Sequence, residues 1–115
     1  IVSNGIFLIV RPNNAFKAEG YSIIAQNSEV RIMANDIRGF INAFQTLLQL
    51  IPIKQQSSIT IPAVSIVDYP QFSYRGMHLD VVRHIFPVDY IKKYIDYLTF
   101  HKFNTFHWHL TDDQG

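Results

Sequence analysis

The stretch from Tyr74 to Gly115 constrains the fold more than any other part of the sequence, because it reads as strand, helix, strand. We predict strands at residues 74–82 and 105–111, with a helix at 88–101 between them. Two strands joined by a helical crossover run parallel, and the crossover is right-handed in nearly all proteins. The sequence therefore predicts a βαβ unit, and an α/β fold, for this part of the chain.

Polar side chains crowd the carboxyl ends of both predicted strands. The residues concerned are Asp80, Arg83, His84, His107, His109, Asp112 and Asp113. In open α/β sheets and in (β/α)₈ barrels alike, ligands bind at that end of the strands. We therefore expect this unit to carry part of an active site.

The alternation within each predicted strand separates an apolar face from a polar face. The apolar positions are Met77, Leu79, Val81, Phe106, Trp108 and Leu110, and we expect them to pack against helices. The polar positions are His78, Asp80, His107 and His109, and we expect them to point into the interior of a barrel. Pro87 suits the start of the intervening helix, whose predicted buried stripe consists of Val88, Ile91, Ile95 and Leu98.

Upstream, the sequence predicts a small α+β unit that begins with strands. The apolar run from Ile6 to Val10 is typical of a buried strand. Residues 21–25 and 30–34 flank a polar turn, and they predict an antiparallel hairpin in which Val30, Ile32 and Ala34 share one face.

A helix follows the predicted hairpin, and a weaker strand follows the helix. Asn35 or Asp36 can cap the start of the helix, and Pro52 ends it. Its apolar stripe consists of Ile37, Phe40, Ile41, Phe44, Leu47, Leu48 and Ile51. Residues 59–67 contain Pro62, so they can form only an edge strand. The break at 68–71 predicts a boundary between a domain at residues 1–69, truncated at its start, and the βαβ unit at residues 70–115.

The composition narrows the classes of function. The chain is 48% hydrophobic and 17% charged, which is typical of a globular protein. Its net charge of +1 gives no support to nucleic-acid binding, so we expect no nucleic-acid partner. No apolar run approaches the ~20 residues of a transmembrane helix, so we also expect no membrane span. Cysteine is absent, which excludes disulfides and thiolate metal sites within these 115 residues and leaves the compartment open.

Several of the polar residues allow two interpretations. Arg83 can fork hydrogen bonds to vicinal hydroxyls, or it can form an internal salt bridge with Asp80 or Asp112. His107 and His109 form an HxH pair that can bind a divalent metal ion, or they belong to a polar interior layer. Asp80 can simply pair with His78. Asp112 and Asp113 can form a carboxylate pair, or one of them can be a turn residue.

At these residues the sequence resembles a known family. The segments DYPQFSYRGMHLDVVRH and FNTFHWHLTDDQG are similar to the start of the catalytic barrel of the family 20 glycoside hydrolases, the β-N-acetylhexosaminidases. Upstream, the segments EGYSI and QTLLQL are similar to the non-catalytic α+β domain of the same family. The similarity covers nearly the whole chain, in the order of the family.

The resemblance implies a fold, a reaction and two site residues. The fold would be a (β/α)₈ TIM barrel, of which this chain holds the first βαβ unit, preceded by a truncated small α+β domain. The protein would be a glycosidase that removes terminal β-linked N-acetylhexosamine, as in chitin or glycan degradation, without a cofactor. Arg83 would hold hydroxyls of the terminal sugar, and Asp112 would support the site. The compartment would be periplasmic or extracellular.

The resemblance also implies where the chemistry occurs. In substrate-assisted retention, the 2-acetamido oxygen of the substrate attacks the anomeric carbon. The general acid Glu and the adjacent Asp are expected downstream of Gly115, so this stretch contributes no catalytic residue and would be inactive alone. Two alternatives remain open at this point: a metal-dependent barrel hydrolase that uses His107 and His109, and a non-catalytic sugar-binding or scaffold protein.

Overall fold

The computed structural model describes residues 5–11, 15–53 and 59–113. The chain separates into two compact units, Ile1–Gln71 and Phe72–Gly115. Among the described residues, no helix is both long enough and apolar enough to cross a membrane.

The first unit is built on a four-stranded mixed sheet. Its strands are β1 (Gly5–Val10), β2 (Tyr21–Gln26), β3 (Glu29–Ala34) and β4 (Val64–Asp68). They lie in the order β1-β3-β2-β4, with β1 parallel to β3 and with β2 antiparallel to both β3 and β4. The predicted hairpin is therefore confirmed, and β1 and β4 form the two edges of the sheet.

The turn between β2 and β3 explains the register of the hairpin. Asn27 and Ser28 have φ angles of 52° and 66°, in the left-handed region. Two consecutive residues with positive φ form the turn geometry whose twist matches that of the flanking strands. Gln26 consequently pairs with Glu29, and the two strands pair without a break from there to the pair Tyr21 and Ala34.

Helix α1 (Ile37–Leu50) covers one face of this sheet. The Asp36 carboxylate caps it by accepting hydrogen bonds from the backbone N–H groups of Arg38 and Gly39. Asn35, the other candidate cap, instead exchanges two hydrogen bonds with the backbone of Phe16. Gly39 lets the helix approach the sheet closely, because a Cβ atom at this position would lie 2.5 Å from the carbonyl oxygen of Gly20.

The core of the first unit lies between α1 and the central strands. Its buried residues are Tyr21, Ile23, Ala25, Val30, Ile32, Ala34, Phe40, Ala43 and Leu47. The face predicted for Val30, Ile32 and Ala34 is therefore confirmed.

Two predictions of burial in the first unit are wrong, the second only in part. The apolar positions of β1 are exposed except for the half-buried Ile9, because β1 is an edge strand and the core cluster lies under α1. In the predicted stripe of α1, Phe40 and Leu47 are buried as expected, but the rest of the buried face consists of Gly39, Asn42 and Ala43. The exposed members of the predicted stripe are Ile37, Ile41, Phe44 and Leu48.

The edge strand β4 is shorter than the sequence predicts. Residues 59–63, which include Pro62, are not in a strand, and pairing with β2 begins at Val64. Proline cannot donate to a sheet ladder, which accounts for the late start. The strand ends at Asp68, whose carboxylate accepts a 2.6 Å hydrogen bond from the hydroxyl group of Tyr21 in the core.

The second unit consists of β5 (Gly76–Asp80), α2 (Val88–Phe100) and β6 (Thr105–His109). The two strands are parallel, as the sequence predicts, and their register pairs His78 with His107 and Asp80 with His109. Both strands are shorter than predicted at their carboxyl ends, where the polar residues enter loops. The last backbone bond at that end runs from the N–H group of Val81 to the carbonyl oxygen of His109.

Helix α2 buries less of its surface than the sequence predicts. Ile91 and Leu98 are buried, but Val88 and Ile95 are 68% and 41% exposed. The helix begins at Val88, as predicted, and Pro87 is its N-cap residue. On the same side of the strands as α2, Phe106 contacts the ring of Tyr94 at 5.6 Å between centroids and stacks on Trp108 at 5.8 Å. These contacts agree with an apolar face turned towards the helix.

Candidate active site

The parallel register of β5 and β6 brings the predicted polar residues to one end of the second unit. Asp80 ends β5, and its register partner His109 ends β6. Arg83 follows three residues after Asp80, and Asp112 follows three residues after His109. The two loops therefore supply the guanidinium of Arg83 and the carboxylate of Asp112, and the strand ends supply the carboxylate of Asp80 and the imidazole of His109.

Arg83 bridges the two carboxylates. Its Nη1 atom lies 3.0 Å from Oδ2 of Asp80, and its Nη2 atom lies 2.5 Å from Oδ2 of Asp112. The side chain of Arg83 is 55% exposed, so the guanidinium is held in position while it remains open to solvent. Of the two partners that the sequence offers for an internal salt bridge, the structure uses both.

Backbone groups fix the two carboxylates in turn. Asp80 accepts a 2.8 Å hydrogen bond from the N–H group of Val82 and a longer one from that of Arg83. Asp112 accepts a 2.9 Å hydrogen bond from the N–H group of Asp113. These local bonds orient each carboxylate before it meets the guanidinium, which favours a single geometry for the cluster.

The same contacts keep both acids ionised. Partial burial opposes ionisation of Asp80, but the N–H groups of Val82 and Arg83 and the charges of Arg83 and His109 outweigh it, so the pKa of Asp80 lies below 3.8. The N–H group of Asp113, the guanidinium of Arg83 and, to a smaller extent, His109 likewise lower the pKa of Asp112 from 3.8. The hydrogen bond with Asp112 raises the pKa of Arg83. The cluster therefore stays charged through the weakly acidic range.

His109 lies near the same two carboxylates. Its Nδ1 atom is 3.9 Å from Oδ1 of Asp80, and its Nε2 atom is 3.6 Å from Oδ2 of Asp112. On the same face of the strands, the ring of His78 contacts those of His107 and His109, with centroids 4.7 and 5.8 Å apart. The polar face predicted for the two strands is thus a contiguous surface.

The remaining predicted residues fall outside the cluster. Asp113 is exposed and contributes its backbone N–H group to Asp112, which favours the turn alternative over a pair of carboxylates. His84 is exposed in the loop after β5. Within the described part of the chain, no group of three His, Cys, Asp or Glu side chains could hold a metal ion, so the structure gives no support to a metal centre at His107 and His109.

Sequence reasoning missed the position of His109 near both carboxylates. It offered Asp80 as a partner of Arg83 or of His78, and the structure pairs Asp80 with Arg83. The strand register is the signal that could have found this arrangement. If Gly76 and Thr105 begin the two parallel strands together, Asp80 and His109 become direct neighbours.

Chemically, this arrangement is suited to a neutral polar ligand. The two ion pairs with Asp80 and Asp112 involve two nitrogens of a group that carries five N–H donors. An exposed guanidinium in a fixed orientation can donate to adjacent hydroxyl groups, and ionised carboxylates can accept from them. A carbohydrate offers both kinds of partner on neighbouring carbon atoms.

Two family models match the chain. One is described as "Glycosyl hydrolase family 20, domain 2" and matches residues 2–69; the other is described as "Glycosyl hydrolase family 20, catalytic domain" and matches residues 72–115. The cluster of Arg83, Asp80, Asp112 and His109 lies within the part that matches the catalytic domain.

Individual proteins show the same similarity. The chain is 43% identical to a β-hexosaminidase of Porphyromonas gingivalis in an alignment of 118 positions, which covers 97% of this chain and 15% of that protein. A structure of a family 20 exo-β-N-acetylglucosaminidase from Vibrio harveyi, in complex with N-acetylglucosamine, superimposes with a TM-score of 0.83 at 39% identity, covering 94% of this chain and 17% of that one. A β-N-acetylhexosaminidase from Streptomyces coelicolor gives a TM-score of 0.85 at 35% identity, covering 96% and 24%.

The chain thus spans between about a seventh and a quarter of the length of these relatives. Within that span, one family model matches more than half of the chain, and the other matches the unit with the polar cluster. The chain belongs to glycosyl hydrolase family 20.

Proposed function

We propose that this chain is part of a β-N-acetylhexosaminidase that removes terminal, non-reducing β-linked N-acetylglucosamine or N-acetylgalactosamine. Residues 1–69 belong to the non-catalytic α+β domain, and residues 70–115 are the first βαβ unit of a catalytic (β/α)₈ barrel. The observation that carries the proposal is the bridged guanidinium of Arg83 at the carboxyl ends of two parallel strands. Barrel enzymes place their active sites at that end.

Arg83 and Asp112 are the proposed substrate-binding residues. The guanidinium donates to neighbouring hydroxyl groups of the terminal sugar, and its planar fork fixes their direction. Asp112 forms an ion pair with the guanidinium, and its lowered pKa keeps it charged in weakly acidic solution. Support comes from the Vibrio harveyi relative, whose structure holds N-acetylglucosamine.

The reaction we propose is hydrolysis with retention, assisted by the acetamido group of the substrate. The acetamido oxygen attacks the anomeric carbon as the bond to the leaving oxygen breaks, a general acid Glu downstream of Gly115 protonates that oxygen, and an adjacent Asp orients the acetamide. Water then attacks the anomeric carbon, breaks its bond to the acetamido oxygen and gives the sugar with retained configuration. The residues of this chain bind and orient the sugar, and contacts that strengthen as the ring distorts contribute to kcat as well as to KM. We propose a carbohydrate partner and a periplasmic or extracellular location for the whole protein.

The test is an assay of the full-length protein that contains this chain. We expect hydrolysis of 4-nitrophenyl N-acetyl-β-D-glucosaminide or its galactosamine analogue, with the β-anomer as the first product by NMR. The matched control substrate is 4-nitrophenyl β-D-glucoside, which lacks the acetamido group and should not be turned over. Activity should survive EDTA.

Three results would contradict the proposal. Binding of N-acetylglucosamine without turnover would favour the non-catalytic alternative. Activity that EDTA abolishes and a divalent metal restores would favour the metal-dependent alternative. Equal turnover of the glucoside would exclude assistance by the acetamido group.

A further inference from the structure

Four polar side chains at the strand ends form a ring that is open at His109. Arg83 joins the carboxylates of Asp80 and Asp112, and His109 lies near the same two carboxylates. Positive and negative partners alternate around the ring when His109 is protonated. The contacts to Arg83 are 3.0 and 2.5 Å, whereas those to His109 are 3.9 and 3.6 Å. The ring is therefore tight on the side of Arg83 and loose on the side of His109.

The two nitrogens of the imidazole lie near different carboxylates, Nδ1 near Asp80 and Nε2 near Asp112. A neutral imidazole has one N–H donor and one lone pair, so one carboxylate would face a lone pair. An imidazolium has a donor for each carboxylate. Both separations exceed the length of a hydrogen bond, so protonation supplies a reason for the carboxylates to close in.

The net charge of the ring depends on whether His109 is protonated. Asp80 and Asp112 supply two negative charges and Arg83 one positive charge, so a neutral His109 leaves one negative charge uncompensated, and a protonated His109 compensates it. The other titratable group that faces His109 is His78 on β5, and His107 lies two residues away on β6. Protonation of either neighbour would oppose that of His109.

We propose that His109 is a positioning residue whose protonation closes this ring and fixes Arg83 in the orientation that binds the sugar. The inference rests on the proposed function of Arg83, and it adds a regulation of that site by pH. With His109 protonated, both carboxylates are held from two sides, and the guanidinium has one orientation. With His109 neutral, the carboxylates are held by Arg83 alone, and the guanidinium can follow either of them away from the sugar.

The experiment compares the full-length wild-type protein with the variant His109→Gln between pH 5 and pH 8.5. Glutamine keeps a polar side chain of similar reach but carries no charge at any pH. With 4-nitrophenyl N-acetyl-β-D-glucosaminide, we expect the ratio of wild-type to variant kcat/KM to be about tenfold or more at pH 5 and to approach one at pH 8.5, because small displacements of a binding group are costly. Part of the change should lie in KM.

A matched control separates this effect from the general loss of a histidine. His101 ends α2 at the opposite end of the unit and is exposed. For His101→Gln, the ratio of wild-type to variant kcat/KM should be the same at every pH. The variant His109→Lys keeps a positive charge throughout the range. We expect its kcat/KM to be higher than that of His109→Gln at pH 5 and to change less with pH.

The outcomes are distinct. A ratio for His109→Gln that is independent of pH would contradict the inference and assign His109 a purely structural role. Failure of both His109 variants to fold, with His101→Gln folded, would also overturn it, because the ring would then serve stability. A wild-type protein that neither hydrolyses the substrate nor binds N-acetylglucosamine would instead refute the proposed function.

Discussion

The two units of this chain use charged and apolar residues in opposite ways. In the first unit, apolar side chains fill the space between one helix and two central strands, and Tyr21, Ile23 and Ile32 are completely buried. In the second unit, α2 buries only Ile91 and Leu98, and the most closely connected side chains are the charged ones at the strand ends. The first unit is organised by packing, and the second by a polar cluster.

The difference indicates what each unit contributes. Burial of apolar surface stabilises a fold without dictating chemistry, which suits a supporting domain. Exposed ion pairs contribute little to stability, so a network of them at a ligand-binding end of a sheet is better explained by function. We therefore expect substitutions in the first unit to change stability with kinetics intact, and substitutions in the polar cluster to do the reverse.

The largest stability effect should come from Gly39→Ala. Alanine gains up to ~1 kcal/mol in helix propensity. Its Cβ atom would lie 2.5 Å from the carbonyl oxygen of Gly20 and 2.8 Å from the Cβ atom of Ala34, and such overpacking costs ~1–3 kcal/mol. The steric term wins, so we expect a net loss of about 1–2 kcal/mol. Thermal unfolding of the full-length protein measures it.

Gly5→Ala is the matched control for Gly39→Ala. A Cβ atom at Gly5 would meet nothing closer than 3.8 Å, so the same chemical change should be tolerated there. Equal melting temperatures for the two variants would show that the close approach of α1 to the sheet does not limit stability. A large loss of kcat/KM in folded Gly39→Ala would break the division between the two units.

A smaller effect is expected at the cap of α1. Asp36→Ala removes the acceptor for two backbone N–H groups and should cost ~1 kcal/mol. The hydrogen bond from the Arg38 side chain, opposed by partial burial and assisted by the N–H groups of Gly39 and Arg38, lowers the pKa of Asp36 from 3.8.

A depressed pKa fixes the direction of the pH dependence. The charge-dependent part of the stabilisation by Asp36 is present above about pH 4 and is lost as the pH falls through the lowered pKa of the folded state. Asp36→Asn keeps a capping side chain and removes the titration. The unfolding midpoints of the wild type and of Asp36→Asn should differ at pH 6 and should lie closer together at pH 3. A gap that widens on acidification would contradict this account.

Local signals in the sequence predicted the elements well. The polar turn at 26–29, the stripe after Asp36 and the alternation in the two strands of the second unit each fixed an element that the structure contains. Burial was less predictable, because it depends on what covers a surface. Most of apolar β1 is exposed at a sheet edge, and in α1 Phe40 and Leu47 are buried while Ile37 and Ile41 are exposed.

The candidate site was predictable as a set of residues but not as a geometry. Arg83 and Asp112 were named from a resemblance to the family, and the cluster contains both. Their connection through Asp80 and His109 depends on the register of two strands that are 29 residues apart along the chain, as the pair Asp80 and His109 shows. Alternation within each strand gives the face of a residue but not its partner across the ladder.

The central claim is that Arg83 is held by two carboxylates in order to bind a sugar, and Arg83→Lys tests it most directly. Lysine keeps the charge and loses the planar fork that reaches both Asp80 and Asp112. Because the guanidinium is 55% exposed, its ion pairs should add little to stability. We predict that in the full-length protein kcat/KM for the β-N-acetylglucosaminide falls between about tenfold and a hundredfold, while the melting temperature barely changes. A lower melting temperature with intact kinetics would contradict the account and show that Arg83 forms a structural salt bridge instead.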